Sequence, residues 1–469
     1  MSLWMPAVAN AAAQCRRSDS PVAWSTMRAT PVSAVVAVLV AWGVSASGVA
    51  TGAAPPKPGM TPDNFTADEQ TPTSLAKPTP AFAGQTEAPA RKSVGKFAVE
   101  VVSGGLSSPW SMAFLPDGKM LVTEARGTMR LITREGVHTG VEGVPPVKMV
   151  AAQGLHDVVL DPDFAHNRFV YFSYFAPPPG EAAAYWPESF AYDQVFNFPV
   201  AERRRMNRGM EQVARARLSE DETRLEQIAV VLEGAERRLV FAPDGTLFAT
   251  GADRFRFYDG DLSGGRISYE TNLTIRKNFA GRISRINRDG SIPRDNPFLS
   301  DPLVAPDVYA FGIRDPEGAA INPKTGELWE VEHGPAGGDE VNIIRSGRDY
   351  GWPVISYGRQ YTSGKLVGSG LTAKPGMEQP LYFWFPDVAP SGLMFYTGDR
   401  FPEWKGNLFV GSLKEHSLIR LVLDGDKVVG EERLLTDRNQ RIRDVRQGPD
   451  GAIYLLTSDG SLLRLVPRS

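Results

Sequence analysis

The chain has 469 residues, 42% of them hydrophobic and 10% aromatic, which is enough to bury a sizeable core. Its 51 basic and 54 acidic side chains leave a net charge of −3, which excludes a general field for gathering nucleic acid or an anionic membrane. A single cysteine, Cys15, excludes a disulfide framework and a thiolate metal cluster, and 46 glycines with 37 prolines point to a turn-rich, β-rich chain.

At the N-terminus, Met27-Arg28, the apolar run from Val32 to Val40 and the small residues of SASGVATGAA read as a secretory signal. Residues 1–26 then form an upstream extension, and cleavage is expected near Ala50 to Ala54. The apolar run is shorter than the ~18 residues a membrane-spanning helix needs. A periplasmic or secreted protein without a membrane span is expected. The next stretch is rich in Pro, Thr, Ala and Lys, with too few large apolar side chains to offset the entropy of ordering. The expected boundaries are therefore 1–52 for extension and signal, 53–96 for a flexible linker, and 97–469 for the folded body.

Six segments of that body share a turn flanked by alternating apolar residues: FLPDGKMLVTE (114–124), LDPDFAHNRFVYFSY (160–174), FAPDGTLFATG (241–251), INPKTGELWEVE (321–332), FPEWKGNLFVGS (401–412) and GPDGAIYLLTS (448–458). Proline presets φ at the first corner, Asp or Asn bonds the turn backbone, and Gly or Asn accepts positive φ, so each reads as strand, turn, strand. The turn prolines at 116, 162, 243, 323, 402 and 449 are spaced by 46, 81, 80, 79 and 47 residues. A four-stranded propeller blade takes about 40–45 residues, so the short spacings fit bare blades and the long ones fit blades with insertions of about 35. An all-β fold, a six-bladed β-propeller with loop and helix insertions, is predicted, and the regular spacing argues against a two-sheet sandwich. One insertion, AERRRMNRGMEQVARARLSEDETRLEQ (201–227), reads as a charged helix, with Val213 and the following ARL at the entrance to a strand. A second, RFRFYDGDLSGGRISYETNLTIRKN (254–278), is aromatic and basic and is expected to line the substrate entrance.

Three constellations carry chemistry. In AFGIRDPEG (310–318) and VEHGPAGGDEVN (331–342), a strand ends at Arg314, the HGPAGG loop leaves carbonyls free, and GGDE supplies two carboxylates. That donor set suits a hard cation such as Ca²⁺, and a tight turn capped by Asp339 explains the residues equally well. In NQRIRDVRQGPDG (439–451), Arg441 and Arg443 lie two apart on a strand and point the same way, as two forks for carboxylate or phosphate or as a solvated face matched by Asp437 and Asp444. In GSLKEHSL (411–418), Lys414 follows an apolar strand.

In this order, SPWSMAFLPDGKMLVTE, LHDVVLDPDF, GRISRINRDGSIPRDNPF, YAFGIRDPEG, EHGPAGGDEVN, YGWP, VAPSG, SLKEHS and QRIRDVRQGPDG resemble the soluble aldose sugar dehydrogenase and sorbosone dehydrogenase family. Its members are six-bladed propellers that bind pyrroloquinoline quinone (PQQ), and the resemblance runs from about Phe97 to Arg468. It implies that Arg314, Lys414, Arg441 and Arg443 face the cofactor's carboxylates and quinone oxygens. It also implies that the carbonyls of Gly334 and Pro335 hold the Ca²⁺ that polarises the quinone, and that Asp339, Glu340, Tyr350 and Glu378 surround a further structural Ca²⁺. The implied reaction is hydride transfer from the anomeric carbon of an aldose to the quinone, with a histidine as base. The resemblance names no electron acceptor.

The chain departs from the family where that histidine belongs. Relatives carry a histidine and two glycines before RLVF, whereas this chain reads EGAERRLVF, with Gly234 at the histidine position and Glu236-Arg237 at the glycines. None of its five histidines lies in 200–300. In AAQGLHDVV (151–159), Gln153 is shifted by one or replaces a glycine, and His156 stands where leucine is usual. His156, Asp387 and Glu236 are the candidates to replace the base, Gln153 is a further catalytic candidate, and His333 reads as structural. Two functions follow: a quinoprotein oxidising a sugar or another alcohol or aldehyde with a rearranged base, or a propeller that has become a non-redox enzyme or a binder of an anionic ligand.

Overall fold

The computed structural model describes residues 76–149, 154–181, 208–234, 237–253, 281–359 and 364–468. The signal segment, the start of the linker, Gln153, Glu236 and the 254–278 insertion lie outside the described residues.

The alternating segments form 24 strands in six four-stranded antiparallel sheets. The chain enters through β1 (Phe97–Ser103), which belongs to the last sheet. Blade one holds β2 (Pro109–Phe114), β3 (Met120–Glu124), β4 (Thr128–Ile132) and β5 (His138–Val141). Blade two holds β6 (Leu155–Leu160), β7 (Phe169–Ala176), β8 (Met210–Leu218) and β9 (Leu225–Glu233), and blade three β10 (Leu239–Phe241), β11 (Leu247–Gly251), β12 (Arg282–Ile286) and β13 (Val308–Phe311). Blade four holds β14 (Pro316–Ile321), β15 (Leu328–Glu332), β16 (Asp339–Ile344) and β17 (Tyr382–Trp384), and blade five β18 (Pro390–Phe395), β19 (Leu408–Ser412), β20 (Leu418–Leu423) and β21 (Val428–Leu434). Blade six takes β22 (Ile442–Gln447), β23 (Ile453–Thr457) and β24 (Leu462–Pro467), and β1 completes it against β24. The first strands β2, β6, β10, β14, β18 and β22 touch in turn, and β22 returns to β2. The ring is closed, as the turn spacing predicts.

Cohesion lies between the sheets. Each adjacent pair of blades shares an apolar layer: Met129 and Leu131 with Phe172, Val213 with Leu247 and Ile286, Phe248 and Ile283 with Leu328, Trp329 and Val341 with Leu408, Phe409 and Leu418 with Val445, and Val122 and Ile132 with Leu456. Burying each such side chain is worth about 1.5–3 kcal/mol, so the blades hold one another.

The axis is closed by charge. Five positions before each matching turn proline stand Ser111, Asp157, Arg238, Gly318 and Asp444, and most first strands carry a register shift at this level. Arg238 is fully buried, 3.0 Å from Asp444 and 3.6 Å from Asp157, and its guanidinium lies 4.0 Å over the Trp110 ring. Arg446 pairs with the same two carboxylates at 3.0 Å each. Gly318 and Gly392 make room: a Cβ would come within 2.1 Å of Ser391 O at one and 2.5 Å of Asp444 Oδ1 at the other. Two carboxylates and two guanidiniums thus form a neutral floor.

Two expectations are corrected. The 201–227 helix is absent from its described part, which is strand β8, a turn and strand β9. Its charges suggest helical spacing, but in EQVARARL the buried Val213, Ala216 and Leu218 and the more exposed Arg215 and Arg217 follow sheet packing against β7. Residues 76–96, assigned to the linker, are mostly exposed but tied to the blades: Gln85 is fully buried, and Arg91 N–H donates to Glu431 O of β21 at 2.7 Å. Composition misjudged them because a few side-chain anchors, rather than a core of their own, fix them. In the fifth hairpin the turn carrying Pro402 holds a short 3₁₀ helix, Pro402–Trp404. Among the described residues no helix is long and apolar enough to cross a membrane.

Candidate functional site

In a ring of antiparallel blades, the starts of the first strands and the loops joining second to third strands share one face. On this face lie His156 at the start of β6, Arg237 before β10, Arg314 and Asp315 before β14, the 333–338 loop between β15 and β16, and Asp387 before β18. Lys414 between β19 and β20, and Arg441 and Arg443 at the start of β22, complete it. The turn prolines sit on the opposite face.

The four expected cofactor ligands thus come from blades four to six. Arg314 is anchored from both sides, with Nη1 donating to His333 O at 2.6 Å and the guanidinium 5.3 Å from the Trp352 ring. Trp352 Nε1 in turn donates to Asp253 Oδ2 at 2.7 Å. Arg443 lies 3.1 Å from Glu317, which also receives Arg237 at 2.7 Å, and Arg237 reaches Asp315 at 3.1 Å. Lys414 Nζ donates to Asp387 Oδ1 at 2.8 Å, and Arg441 Nη1 donates to the neighbouring Leu413 O at 2.9 Å. Burial pushes the Asp387 carboxyl up to about 6 and the Lys414 ammonium down. Desolvation therefore drives both partners toward neutrality despite their contact.

The HGPAGG loop is tightly built. Gly337 and Gly338 have φ of +106° and +72°, and a Cβ on Gly338 would come within 2.4 Å of Gly358 N. Asp339 accepts from Gly334 N–H at 2.8 Å and, through its other oxygen, from Val388 and Ala389 N–H at 2.7 Å each. It therefore ties this loop to the one carrying Asp387. Pro335 O accepts from Arg359 N–H at 2.6 Å, and a carbonyl has a second lone pair to offer.

Behind the loop, Glu332, Gly334, Pro335, Glu340, Tyr350 and Trp352 line a narrow cleft, with Arg314 also on its wall. Its electrostatics invite a cation. Glu330 opposes Asn342 and Glu332 opposes Glu340 across β15 and β16, so one amide serves three carboxylates, at 2.9 Å to Glu330 and 3.3 Å to each of the others. Burial pushes Glu332 up to about 7 and holds Glu330 and Glu340 well above the usual range, with neighbouring carboxylates adding to the shift in both. Glu330 Oε2 and Asn342 Oδ1 are buried without a hydrogen-bond partner. These orphaned oxygens fit a hard cation, although among the described residues no group of three or more His, Cys, Asp or Glu stands in ligating geometry. The remaining expected metal residues have other engagements. Tyr350 OH donates to Ile343 O at 2.5 Å and accepts from Arg345 N–H at 2.8 Å, and Glu378 lies 3.6 Å from Arg348, away from the cleft lining.

Among the base candidates, His156 is 1% exposed with its ring 4.9 Å from Trp110, and Asp387 is buried beside Lys414. Gly234 N–H donates to Glu211 O at 3.0 Å. Sequence reasoning missed Asp157, Arg237, Arg238, Asp315, Glu317, Glu330, Glu332 and Asn342. The constant five-residue offset from the turn prolines marks the floor, and the E-x-E and E-x-N pairs around HGPAGG mark the carboxylate cluster.

The sequence profile of the family described as glucose/sorbosone dehydrogenase matches residues 106–464. The chain belongs to the glucose/sorbosone dehydrogenase family. Against the aldose sugar dehydrogenase YliI of Escherichia coli, this family member is 36% identical over 386 residues, 79% of this chain and 93% of that one. Against quinoprotein glucose dehydrogenase B of Acinetobacter calcoaceticus, it is 27% identical over 77% of this chain and 85% of the relative. The solved PQQ-bound aldose sugar dehydrogenase from Streptomyces coelicolor superposes on this glucose/sorbosone dehydrogenase family chain with a TM-score of 0.59 at 25% identity, covering 81% of this chain and all of that one.

Proposed function

We propose that the chain oxidises an aldose, or another alcohol or aldehyde, with PQQ as hydride acceptor and Ca²⁺ at the Gly334–Pro335 loop, after export to the periplasm or the cell exterior. The observation that carries this reading is the arrangement of Arg314, Lys414, Arg441 and Arg443 beside the 333–338 loop, on one face of a glucose/sorbosone dehydrogenase family propeller. PQQ, when bound, supplies the quinone that takes the hydride. The four cations would hold its carboxylates and quinone oxygens through charge-assisted hydrogen bonds, and the carbonyls of Gly334 and Pro335 would supply the hard donors Ca²⁺ prefers. Asp387 takes the proton of the substrate hydroxyl. It is buried, lies beside Lys414, and is ionised above a pKa of about 6. His156 is less suited to the role, packed against Trp110.

Arg237 favours a second reading. The resemblance sets it opposite a glycine of the family motif, and its buried guanidinium lies against Asp315 and Glu317, which suits a site that binds an anion without oxidising a sugar. Reconstitution separates the two. The purified mature protein with PQQ and Ca²⁺ is expected to show quinone absorbance and to reduce an artificial acceptor with an aldose or alcohol. No PQQ uptake at micromolar concentration removes the cofactor, whereas uptake that no donor reduces leaves the anion binder.

A further inference from the structure

Residues 76–95 lie outside the 106–464 family match, yet they form a strap along blades four and five. Its far end is tied to the blade rim. Ser93 bonds Glu432 through both N–H and hydroxyl at 2.6 Å, and Trp404 Nε1 donates to Ser93 Oγ at 2.7 Å. Its near end reaches toward the site. The Gln85 side chain, fully buried, donates to Pro380 O at 2.9 Å, and its Oε1 accepts from Ala81 N–H at 2.7 Å and lies 3.1 Å from the Tyr357 hydroxyl, which Gln379 Oε1 shares at 2.6 Å, while Gln85 O accepts from Phe383 N–H at 2.8 Å. Arg359 adds a second tie, donating from Nη2 to Ala76 O at 2.8 Å.

Tyr357 and Arg359 flank the wall on which the HGPAGG loop rests. Tyr357 stacks on Phe383 at 4.0 Å, Arg359 N–H holds Pro335 O at 2.6 Å, and a Cβ on Gly358 would come within 2.5 Å of Pro335 O. We propose that the strap is a brace for the 333–338 loop and that Gln85 is its positioning residue, setting the carbonyl cradle through Tyr357 without touching it. The link to cation affinity rests on the function proposed above; the mechanical link does not.

The test uses the full chain and hydrogen exchange followed by mass spectrometry, without cofactor. In Gln85→Ala, amides in 356–359 and 333–339 are expected to exchange about tenfold faster, the worth of one lost buried hydrogen bond, while β22 and β23 keep their protection. Ca²⁺ titrated by tryptophan fluorescence should bind about tenfold more weakly. Tyr357→Phe, which keeps the ring stack and removes only the hydroxyl, should act in the same direction and covers the case in which Gln85→Ala fails to fold. Ser93→Ala should loosen 90–95 alone. Wild-type exchange at 333–339 in both Gln85→Ala and Tyr357→Phe overturns the brace. Failure of the wild-type protein to bind PQQ overturns the functional reading and leaves the exchange result intact.

Discussion

Arg238 and Asp444, separated by 206 residues in the chain, meet at 3.0 Å on the propeller axis with neither exposed to solvent. Removing either one leaves this buried four-membered floor one charge out of balance, although Arg446 still reaches both carboxylates, at a cost of up to about 3–5 kcal/mol. Arg238→Met and Asp444→Asn are each expected to lower the urea midpoint by that order. The double variant should lose less than the sum, because the second change restores the charge balance of the floor. Additive losses would show that the two side chains are not coupled.

With Asp387 as the proposed base, turnover should have an acid limb. A base works when ionised, and burial raises this carboxyl to about 6, so kcat/KM should climb as pH rises through about 6 and level off above it. Asp387→Asn should lower kcat by about 10²–10⁴-fold, the range of general-base catalysis, and remove that limb. An unchanged profile in Asp387→Asn with a flattened one in His156→Ala would move the role to His156.

The paired forks of Arg441 and Arg443 predict a cofactor affinity that depends on shape as well as charge. Arg441→Lys keeps the charge but loses the planar fork, and is expected to weaken PQQ binding about tenfold in a fluorescence titration. Arg441→Ala should weaken it further. Equal affinity across all three proteins would place the anion elsewhere.

The three carboxylates around Asn342 predict a metal-dependent melting temperature. Ca²⁺ at a hundred times its Kd adds about 2.7 kcal/mol of stability, and a chelator should withdraw it in calorimetry. Glu330→Gln removes one carboxylate donor to the cation, so its melting temperature should respond less to Ca²⁺. A wild-type melting curve indifferent to both Ca²⁺ and chelator would count against a cation in this cleft.

The fold was legible because proline, aspartate and glycine recur at turns whose spacing is set by blade length, and apolar alternation flanks each one. Arg314, Lys414, Arg441 and Arg443 were legible as a motif set, but their partners were not. Glu317, in β14, meets Arg443 at the start of β22, and Asp387, before β18, meets Lys414 between β19 and β20, contacts that appear only once the chain has folded. The strand pair at 210–233 was misread because its charged side chains suggest a helix when counted by threes and fours. The strap was missed because Gln85 and Ser93 act singly, with no periodicity to announce them.

Phe97 pairs with Pro467, and Glu100 bonds Arg464 across the same two strands. The first strand made is therefore the last to find its neighbour, and during synthesis it waits as an open edge until the final hairpin emerges. Clipping a handful of residues from β24 should unclasp the whole molecule, even though every other blade keeps its full complement of strands.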